Sequence, residues 1–235
     1  MLKGIIYYTD NRLEEPLYSI VQGFISDSGL SITSSSLKPI IFGDNEVVYG
    51  ERSYPTMIKQ IISCLERSKA DYVYFTENDV LYTPSHFEFT PPRDDIFYYN
   101  ENVWRWMYGS DNAINHDRMI PLSSLCVNRK FALDHYKRRM DYITEKCLDP
   151  DSNANQKWVR KMGFEPGTKK LKRGGFSDDD FEVWSSKYPN IDIRHHKTFS
   201  PPKCTLESFT HAPKTWKEID IEDIPGWNLR DLFKI

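Results

Sequence analysis

The feature that most limits the fold of this chain is the alternation of strand-like and helix-like segments in its first 75 residues. Extended runs cover residues 3–8, 29–33 and 71–75, and apolar residues recur at helical spacing from about residue 14 and over residues 54–68. The order β, α, β, α, β is typical of an open α/β sheet with mostly parallel strands. The sequence therefore predicts a Rossmann-like α/β fold whose ligand site lies beyond the carboxyl ends of the strands.

The remainder of the chain is less regular. Residues 97–100 and 122–127 have the composition of strands, residues 131–146 form an amphipathic helical pattern, and residues 149–156 and 164–175 are predicted loops. No internal repeat and no linker composition interrupts the 235 residues. We therefore expect one domain, residues 1–235, with a decorated C-terminal half.

Charge and cysteine content exclude several classes of protein. The 31 Lys and Arg residues and 34 Asp and Glu residues give a net charge of -3, so no global positive field indicates a nucleic-acid binder. The N-terminal segment does not have the pattern of a signal peptide, and no apolar run approaches the ~18 residues of a membrane span, so we expect a cytoplasmic protein. The four cysteines lack metal-ligand spacing and are expected to be reduced thiols: Cys64, Cys126, Cys147 and Cys204.

Glu77, Asn78 and Asp79 form the sharpest local motif, because two carboxylates flank one residue directly after a predicted strand. Oxygen ligands suit hard divalent cations, and a carboxylate pair at a strand end leaves coordination positions open for phosphate oxygens. The motif predicts a Mn²⁺ or Mg²⁺ site held by Glu77 and Asp79. An acidic turn without a ligand is the alternative.

Polar residues also follow the two earlier strands. Thr9, Asp10 and Asn11 offer hydrogen bonds to a base or ribose, and Ser36 and Lys38 lie within reach of a phosphate on the predicted topology. Ordinary turn and loop chemistry is the alternative for both groups. The chain contains neither G-x-x-x-x-G-K-[ST] nor G-x-G-x-x-G, which removes the commonest ATPase and dinucleotide-binding motifs.

The motif and its surroundings resemble a known family. The Glu77-Asn78-Asp79 motif is similar to the D-x-D motif of GT-A nucleotide-sugar glycosyltransferases, with Glu in its first position. The stretch TENDVLYTPSHFEF at residues 76–89, preceded by a helix containing residues 60–66, resembles small bacterial and phage glycosyltransferase-like proteins.

The resemblance implies a GT-A-like single domain, with residues 1–95 binding the nucleotide and residues 96–235 the acceptor. It implies a metal-dependent hexosyl- or pentosyltransferase that uses a nucleotide-diphosphate sugar, UDP-sugar being favoured. Gln60 and Asn78 join the expected nucleotide-binding residues. The expected setting is the cytoplasm of a bacterial or phage-infected cell.

A second acidic cluster runs from Asp178 to Glu182, and we expect it to begin a helix. Helix capping alone explains many such clusters. The segment also resembles the E-D-x-E-L pattern near the acceptor of GT-A enzymes, which implies that Asp180 is the base, with Asp179 as its neighbour. A base there would remove the acceptor proton as the nucleotide diphosphate departs.

A histidine pair, His195 and His196, supplies a candidate third metal ligand. Similarity to GT-A enzymes that use a His after the base segment favours His195, with His196 and His211 as alternatives. A histidine in the core or on the surface without a metal is the common alternative.

Asn102, Trp104 and Trp106 combine an amide with two indoles, which suits the polar rim and apolar face of a sugar. They are the candidate sugar or acceptor platform, and a core position is the alternative for one of the tryptophans.

A basic stretch lies within residues 157–173 of this acidic chain, and a solvated loop is its default interpretation. The alternative is a footprint for phosphates on the acceptor, which admits a hydroxymethylated base in phage DNA besides a glycan. No protein partner is indicated. Two other functions stay open at this point: a non-catalytic glycan- or protein-binding module, and a metal-dependent phosphohydrolase or nuclease.

Overall fold

A computed structural model describes residues 1–117, 119–145, 163–168, 176, 180–198 and 203–234 of this protein. The strands and helices have the following bounds: β1 Lys3–Thr9, α1 Leu17–Ser26, β2 Ser31–Ser36, β3 Asp44–Val47, α2 Tyr54–Arg67, β4 Tyr72–Glu77, β5 Val80–Leu81, β6 Ile96–Asn100, β7 Val103–Met107, β8 Asn112–His116, β9 Leu125–Asn128, α3 Arg129–Glu145, β10 Asp180–Trp184, β11 Asn190–Arg194, β12 Trp216–Asp220 and α4 Leu229–Phe233.

The larger sheet has seven strands in the order β10-β6-β9-β4-β1-β2-β3. β1 pairs in parallel with β2 and β4, β2 with β3, and β6 with β10, whereas β9 runs antiparallel to its two neighbours. The predicted α/β fold with a mostly parallel sheet is confirmed.

The central strands β1, β4 and β6 are buried on both faces, as their near-continuous apolar sequence requires. Alternate residues of β1 point to opposite sides, so Ile5 and Tyr7 join one apolar cluster and Ile6 and Tyr8 join the other. α2 and α3 cover the second face. α1 covers the first face through Leu17, Val21 and Ile25, which recur at intervals of four residues.

The second sheet was not predicted from the sequence. It has five strands in the order β12-β8-β7-β11-β5, and only β7 and β11 pair in parallel. Its inner residues, including Leu81, Trp106 and Ile193, lie in the same apolar cluster as Ile5 and Tyr7 of the larger sheet. Strands from residues 1–95 and 96–235 contribute to both sheets, so the two predicted halves interleave.

Among the described residues, no helix combines the length and the apolar character that a bilayer crossing would need. Cys64, Cys126 and Cys204 are free thiols, as expected, and Cys147 lies outside the described residues.

Trp106 carries a clear prediction for stability. Its side chain is fully buried against Phe233 and donates a hydrogen bond from Nε1 to the carbonyl oxygen of Ser110. We expect Trp106→Ala to lower the free energy of unfolding by about 3–5 kcal/mol, because it removes a large core side chain and leaves a cavity. Urea unfolding of the purified variant measures the change.

Val183→Ala is the matched control, because Val183 is 45% exposed on β10. Its effect should stay within about 0.5 kcal/mol. Equal losses in the two variants would contradict the burial of Trp106.

Candidate functional site

A half-open cleft lies at the carboxyl ends of β1 and β4, the edge at which parallel α/β sheets bind ligands. Its walls come from the ends of β1, β4 and β11, from the start of α2, and from residues 121–122 and 164–165. The cleft contains both carboxylates of the acidic motif, together with His195.

The acidic motif lies where the chain passes from one sheet to the other. β4 of the larger sheet ends at Glu77, and β5 of the smaller sheet begins at Val80. β5 pairs antiparallel with β11, and the backbone N–H of Ile193 donates to the carbonyl oxygen of Asp79 at 2.9 Å. This pairing brings the end of β11, and with it His195, next to Asp79.

Asp79 and His195 contact each other inside the cleft. His195 Nε2 lies 3.7 Å from Asp79 Oδ2, and the two side chains are only 10% and 15% exposed, respectively. The backbone N–H of Lys197 donates to His195 Nδ1 at 3.2 Å, so the Nε2 side of the ring faces the carboxylate. The structure therefore brings together two of the three predicted metal ligands.

The described part of the chain contains no group of three or more His, Cys, Asp or Glu residues arranged to hold a metal ion. Asp79 and His195 fit a cation that has few protein ligands and is completed by substrate phosphates and water, which is the common mode for Mg²⁺. Neutral His195 could bind a cation through Nε2 only with its hydrogen on Nδ1, so the contact from Lys197 would have to be given up.

Glu77 accepts a hydrogen bond from the hydroxyl of Tyr8 at 2.7 Å, and its backbone N–H donates to the hydroxyl of Tyr82 at 3.0 Å. Burial, followed by the nearby charge of Asp79, raises the pKa of Glu77 from 4.5 to about 8, and the Tyr8 hydroxyl opposes this shift. The environment of Glu77 therefore favours its protonated form when no cation is bound. Its role as a metal ligand stays a prediction.

Three predicted nucleotide-binding residues form one polar cluster at the end of β1. Gln60 Nε2 donates to the carbonyl oxygen of Thr9 at 2.9 Å, and Asn78 Nδ2 donates to Thr9 Oγ1 at 3.1 Å. All three residues line the cleft. Because these bonds fix both amides, the cluster presents a defined set of donors and acceptors to a ligand.

Asp10 also lines the cleft, but its carboxylate is paired with Arg52 at 2.5 Å. Arg52 Nη2 also donates to the carbonyl oxygen of Lys197 at 3.1 Å, and Lys197 forms an ion pair with Glu14. These contacts connect the loop after β1 with the loop that contains His195. Asp10 thus organises the rim of the cleft.

Three other predicted nucleotide contacts do not line the cleft. Ser36 is buried inside β2, where its hydroxyl contacts Asn45, so the serines at 34–36 belong to the strand and not to a loop. Asn11 Oδ1 accepts hydrogen bonds from the backbone N–H groups of Leu37 and Lys38, both at 2.8 Å. Asn11 therefore holds the loop that follows β2. Lys38 is exposed outside the cleft.

The predicted sugar platform is corrected in the same way, because Asn102, Trp104 and Trp106 do not line the cleft. Trp106 is a core residue, and Trp104 packs partly buried against the same apolar cluster. Asn102 donates from Nδ2 to the carbonyl oxygen of Ser186 at 2.8 Å, so it joins two loops.

The predicted helix at Asp180 is wrong, because Asp180–Trp184 is an edge strand parallel to β6. Asp180 pairs with Ile96 at the start of β6. Through β9, which pairs with both β6 and β4, this position is level with the start of β4. Asp180 therefore lies at the end of the sheet opposite Glu77. It does not line the cleft, which contradicts its assignment as the base. Asp179 and the basic side chains of residues 157–173 lie outside the described residues.

The structure also describes His196 and His211, the alternative candidates for the third metal ligand. His196 is exposed, with its ring centroid 6.3 Å from that of His195, and His211 is exposed outside the cleft. His195 is the histidine that contacts the acidic motif.

Sequence reasoning missed Asp192 and Arg194, which line the cleft beside His195. The histidines are the conspicuous residues of this segment in the sequence. The two-residue spacing of Asp192 and Arg194 places them on one face of a strand, but the pairing of β11 decides that this face lines the cleft.

The chain matches no protein-family model and no curated protein sequence. Among solved structures, it is similar to a glycosyltransferase involved in glycosylation of the major capsid of PBCV-1, with 11% identity and a TM-score of 0.43 over 79% of this chain and 82% of the other. The bifunctional IspDF from Campylobacter jejuni matches with 8% identity and a TM-score of 0.40, over 80% of this chain and half of the other.

A Drosophila β-1,4-galactosyltransferase 7 variant in complex with manganese, UDP-Gal and xylobiose matches with 13% identity and a TM-score of 0.36. That match covers 65% of this chain and 66% of the other. Two of these three structures are thus glycosyltransferases, the class that the acidic motif resembles.

The raised pKa of Glu77 predicts how stability depends on pH. The folded protein retains the Glu77 proton up to about pH 8, whereas the unfolded chain releases it near the ordinary value of 4.5. A rise in pH through this window therefore favours the unfolded state. In EDTA, we expect Glu77→Gln to become more stable relative to wild type as pH rises from 5 to 8.

Urea unfolding at several pH values measures this difference in unfolding free energy. Titrating groups that do not interact with Glu77 contribute equally to both proteins, so the difference reports Glu77 together with its neighbour Asp79. Parallel stability curves for wild type and variant would contradict a raised pKa at this site.

Proposed function

We propose that this protein transfers a glycosyl group from a nucleoside-diphosphate sugar, with UDP-sugar favoured, to a hydroxyl group of an acceptor. The observation that carries the proposal is the contact between Asp79 and His195 at 3.7 Å, in a cleft that also contains the Thr9, Gln60 and Asn78 cluster. Nucleoside recognition and diphosphate recognition would then occupy adjacent parts of one cleft.

The nucleoside would bind at the end of β1. The amides of Gln60 and Asn78 are oriented by Thr9, and Met57 contributes an apolar surface to the same cleft. Polar groups at fixed positions on an apolar wall are the usual composition of a small-molecule site. Asp10, held by Arg52, would define the rim on this side.

The diphosphate would lie next to Asp79 and His195, which would hold a Mn²⁺ or Mg²⁺ ion. When bound, such a cation neutralises charge that develops on a departing phosphate. Asp79 and His195 would supply the oxygen and nitrogen ligands, and Glu77, whose side chain accepts a hydrogen bond from Tyr8, would offer a second carboxylate within the same cleft.

The acceptor would bind against another part of the cleft lining, formed by Pro121, Leu122, Phe164 and Glu165. This wall carries apolar surface and one carboxylate. A glycan and a hydroxymethylated DNA base are both compatible acceptor classes in this proposal, and so are hexosyl and pentosyl donors.

Calorimetric titration with nucleoside diphosphates, followed by assays of donor turnover, tests the proposal. A transferase binds UDP in the presence of Mn²⁺ and releases it from UDP-sugar when a hydroxyl acceptor is supplied. A phosphohydrolase would release phosphate without a sugar acceptor. A binding module would bind a glycan or protein with no cation-dependent affinity for UDP.

Asp79→Asn is the decisive variant. It retains the shape of the side chain but removes the charge that faces His195. We expect Mn²⁺-dependent affinity for UDP to fall at least tenfold and turnover of UDP-sugar to fall by about two orders of magnitude or more, because loss of a bound cation removes several kcal/mol of charge stabilisation.

Asp95→Asn is the matched control, since Asp95 is an exposed carboxylate paired with Arg93 outside the cleft. It should leave both measurements unchanged. Wild-type affinity and turnover in Asp79→Asn would refute the proposed cation site.

A further inference from the structure

Asp192 lies between two arginines in the smaller sheet. It is directly opposite Arg105 in the parallel register of β11 and β7, and Arg194 follows two residues later on the same face of β11. Arg105 Nε and Arg194 Nη2 both contact Asp192 Oδ2, at 3.0 and 2.8 Å. A buried carboxylate needs such compensation, and the two arginines supply it.

The two arginines differ in what else they face. Each side chain is 13% exposed, but Arg194 lines the cleft whereas Arg105 does not. Arg105 Nη1 instead donates to the carbonyl oxygen of Lys203 at 3.1 Å. Arg105 therefore contacts another part of the fold, whereas Arg194 is the arginine of this ion pair that lines the cleft.

Arg194 is also close to the acidic motif. It directly precedes His195, whose Nε2 lies 3.7 Å from Asp79 Oδ2, and all three residues line the cleft. A permanently charged guanidinium therefore belongs to the same cleft as the proposed cation ligands. Its planar set of N–H donors matches phosphate oxygens, and Asp192 fixes its orientation.

We infer that Arg194 binds the distal phosphate of the nucleoside diphosphate and that Asp192 is its positioning residue. This inference rests on the proposed function. The order of groups along the cleft supports the choice of phosphate. The nucleoside cluster at the end of β1 includes Asn78, Asp79 is the next residue, and the backbone N–H of Ile193, the residue before Arg194, donates to the carbonyl oxygen of Asp79. On this assignment, a nucleoside monophosphate lacks the phosphate that Arg194 would bind.

Titration of wild type, Arg194→Met and Arg105→Met with UDP and with UMP, in the presence of Mn²⁺, tests the inference. We expect Arg194→Met to weaken UDP binding roughly 10- to 100-fold, the size of one charge-assisted hydrogen bond, and to change UMP binding less than about threefold. Arg105→Met breaks the same ion pair outside the cleft, so it should change neither affinity by more than about threefold.

Several results would overturn the inference. Unchanged UDP affinity in Arg194→Met would remove the contact, an equal loss for UMP would place Arg194 at another part of the ligand, and an equal loss in Arg105→Met would make the role purely structural. Absence of UDP binding by wild type would overturn the proposed function itself.

Urea unfolding of each variant establishes that it is folded. If Arg194→Met does not fold, Arg194→Lys replaces it, because lysine keeps the charge but lacks the planar set of donors. We then expect UDP affinity to fall more than about threefold while UMP affinity is unchanged. Unchanged UDP affinity in Arg194→Lys would overturn the inference.

Discussion

The pairing of β5 with β11 is the constraint on which the candidate site depends. β5 contains only Val80 and Leu81, yet it transfers the chain from the larger sheet to the smaller one within a few residues of Glu77. The backbone hydrogen bond from Ile193 to Asp79 fixes the register of that transfer. Because a one-residue slip would turn every side chain to the other face, this register decides that His195 meets Asp79.

The buried larger sheet supplies the rigidity that this arrangement needs. β1 and β4 are covered on both faces, by α2 and α3 on one side and by α1 and the smaller sheet on the other. Their carboxyl ends therefore hold Thr9 and Glu77 at fixed positions. Polar groups held this way are oriented before a ligand arrives, which lowers the entropy cost of binding.

The charge distribution of the cleft divides it into two regions. At the β1 end, Asp10 is paired with Arg52 and the polar contacts are amides and a hydroxyl. At the β11 end, Asp192 and Arg194 form an ion pair on one face of the strand, and Asp79 contacts His195, the next residue. A ligand with a neutral polar part and an anionic part, accompanied by a cation, is complementary to this order.

The sequence by itself determined the early strands and helices, the α/β class, and the position of the acidic motif at a strand end, because hydrophobic periodicity and turn residues are local signals. It also identified the Thr9, Gln60, Asn78 and His195 positions that the cleft contains. It misplaced Trp106 and Asp180, because a tryptophan suits a core as well as a sugar, and acidic residues suit an edge strand as well as a helix start. Only the tertiary structure decided that Asp192 and Arg194 join the cleft, since that depends on the pairing of strands more than 100 residues apart in the chain, and no local pattern encodes such pairing.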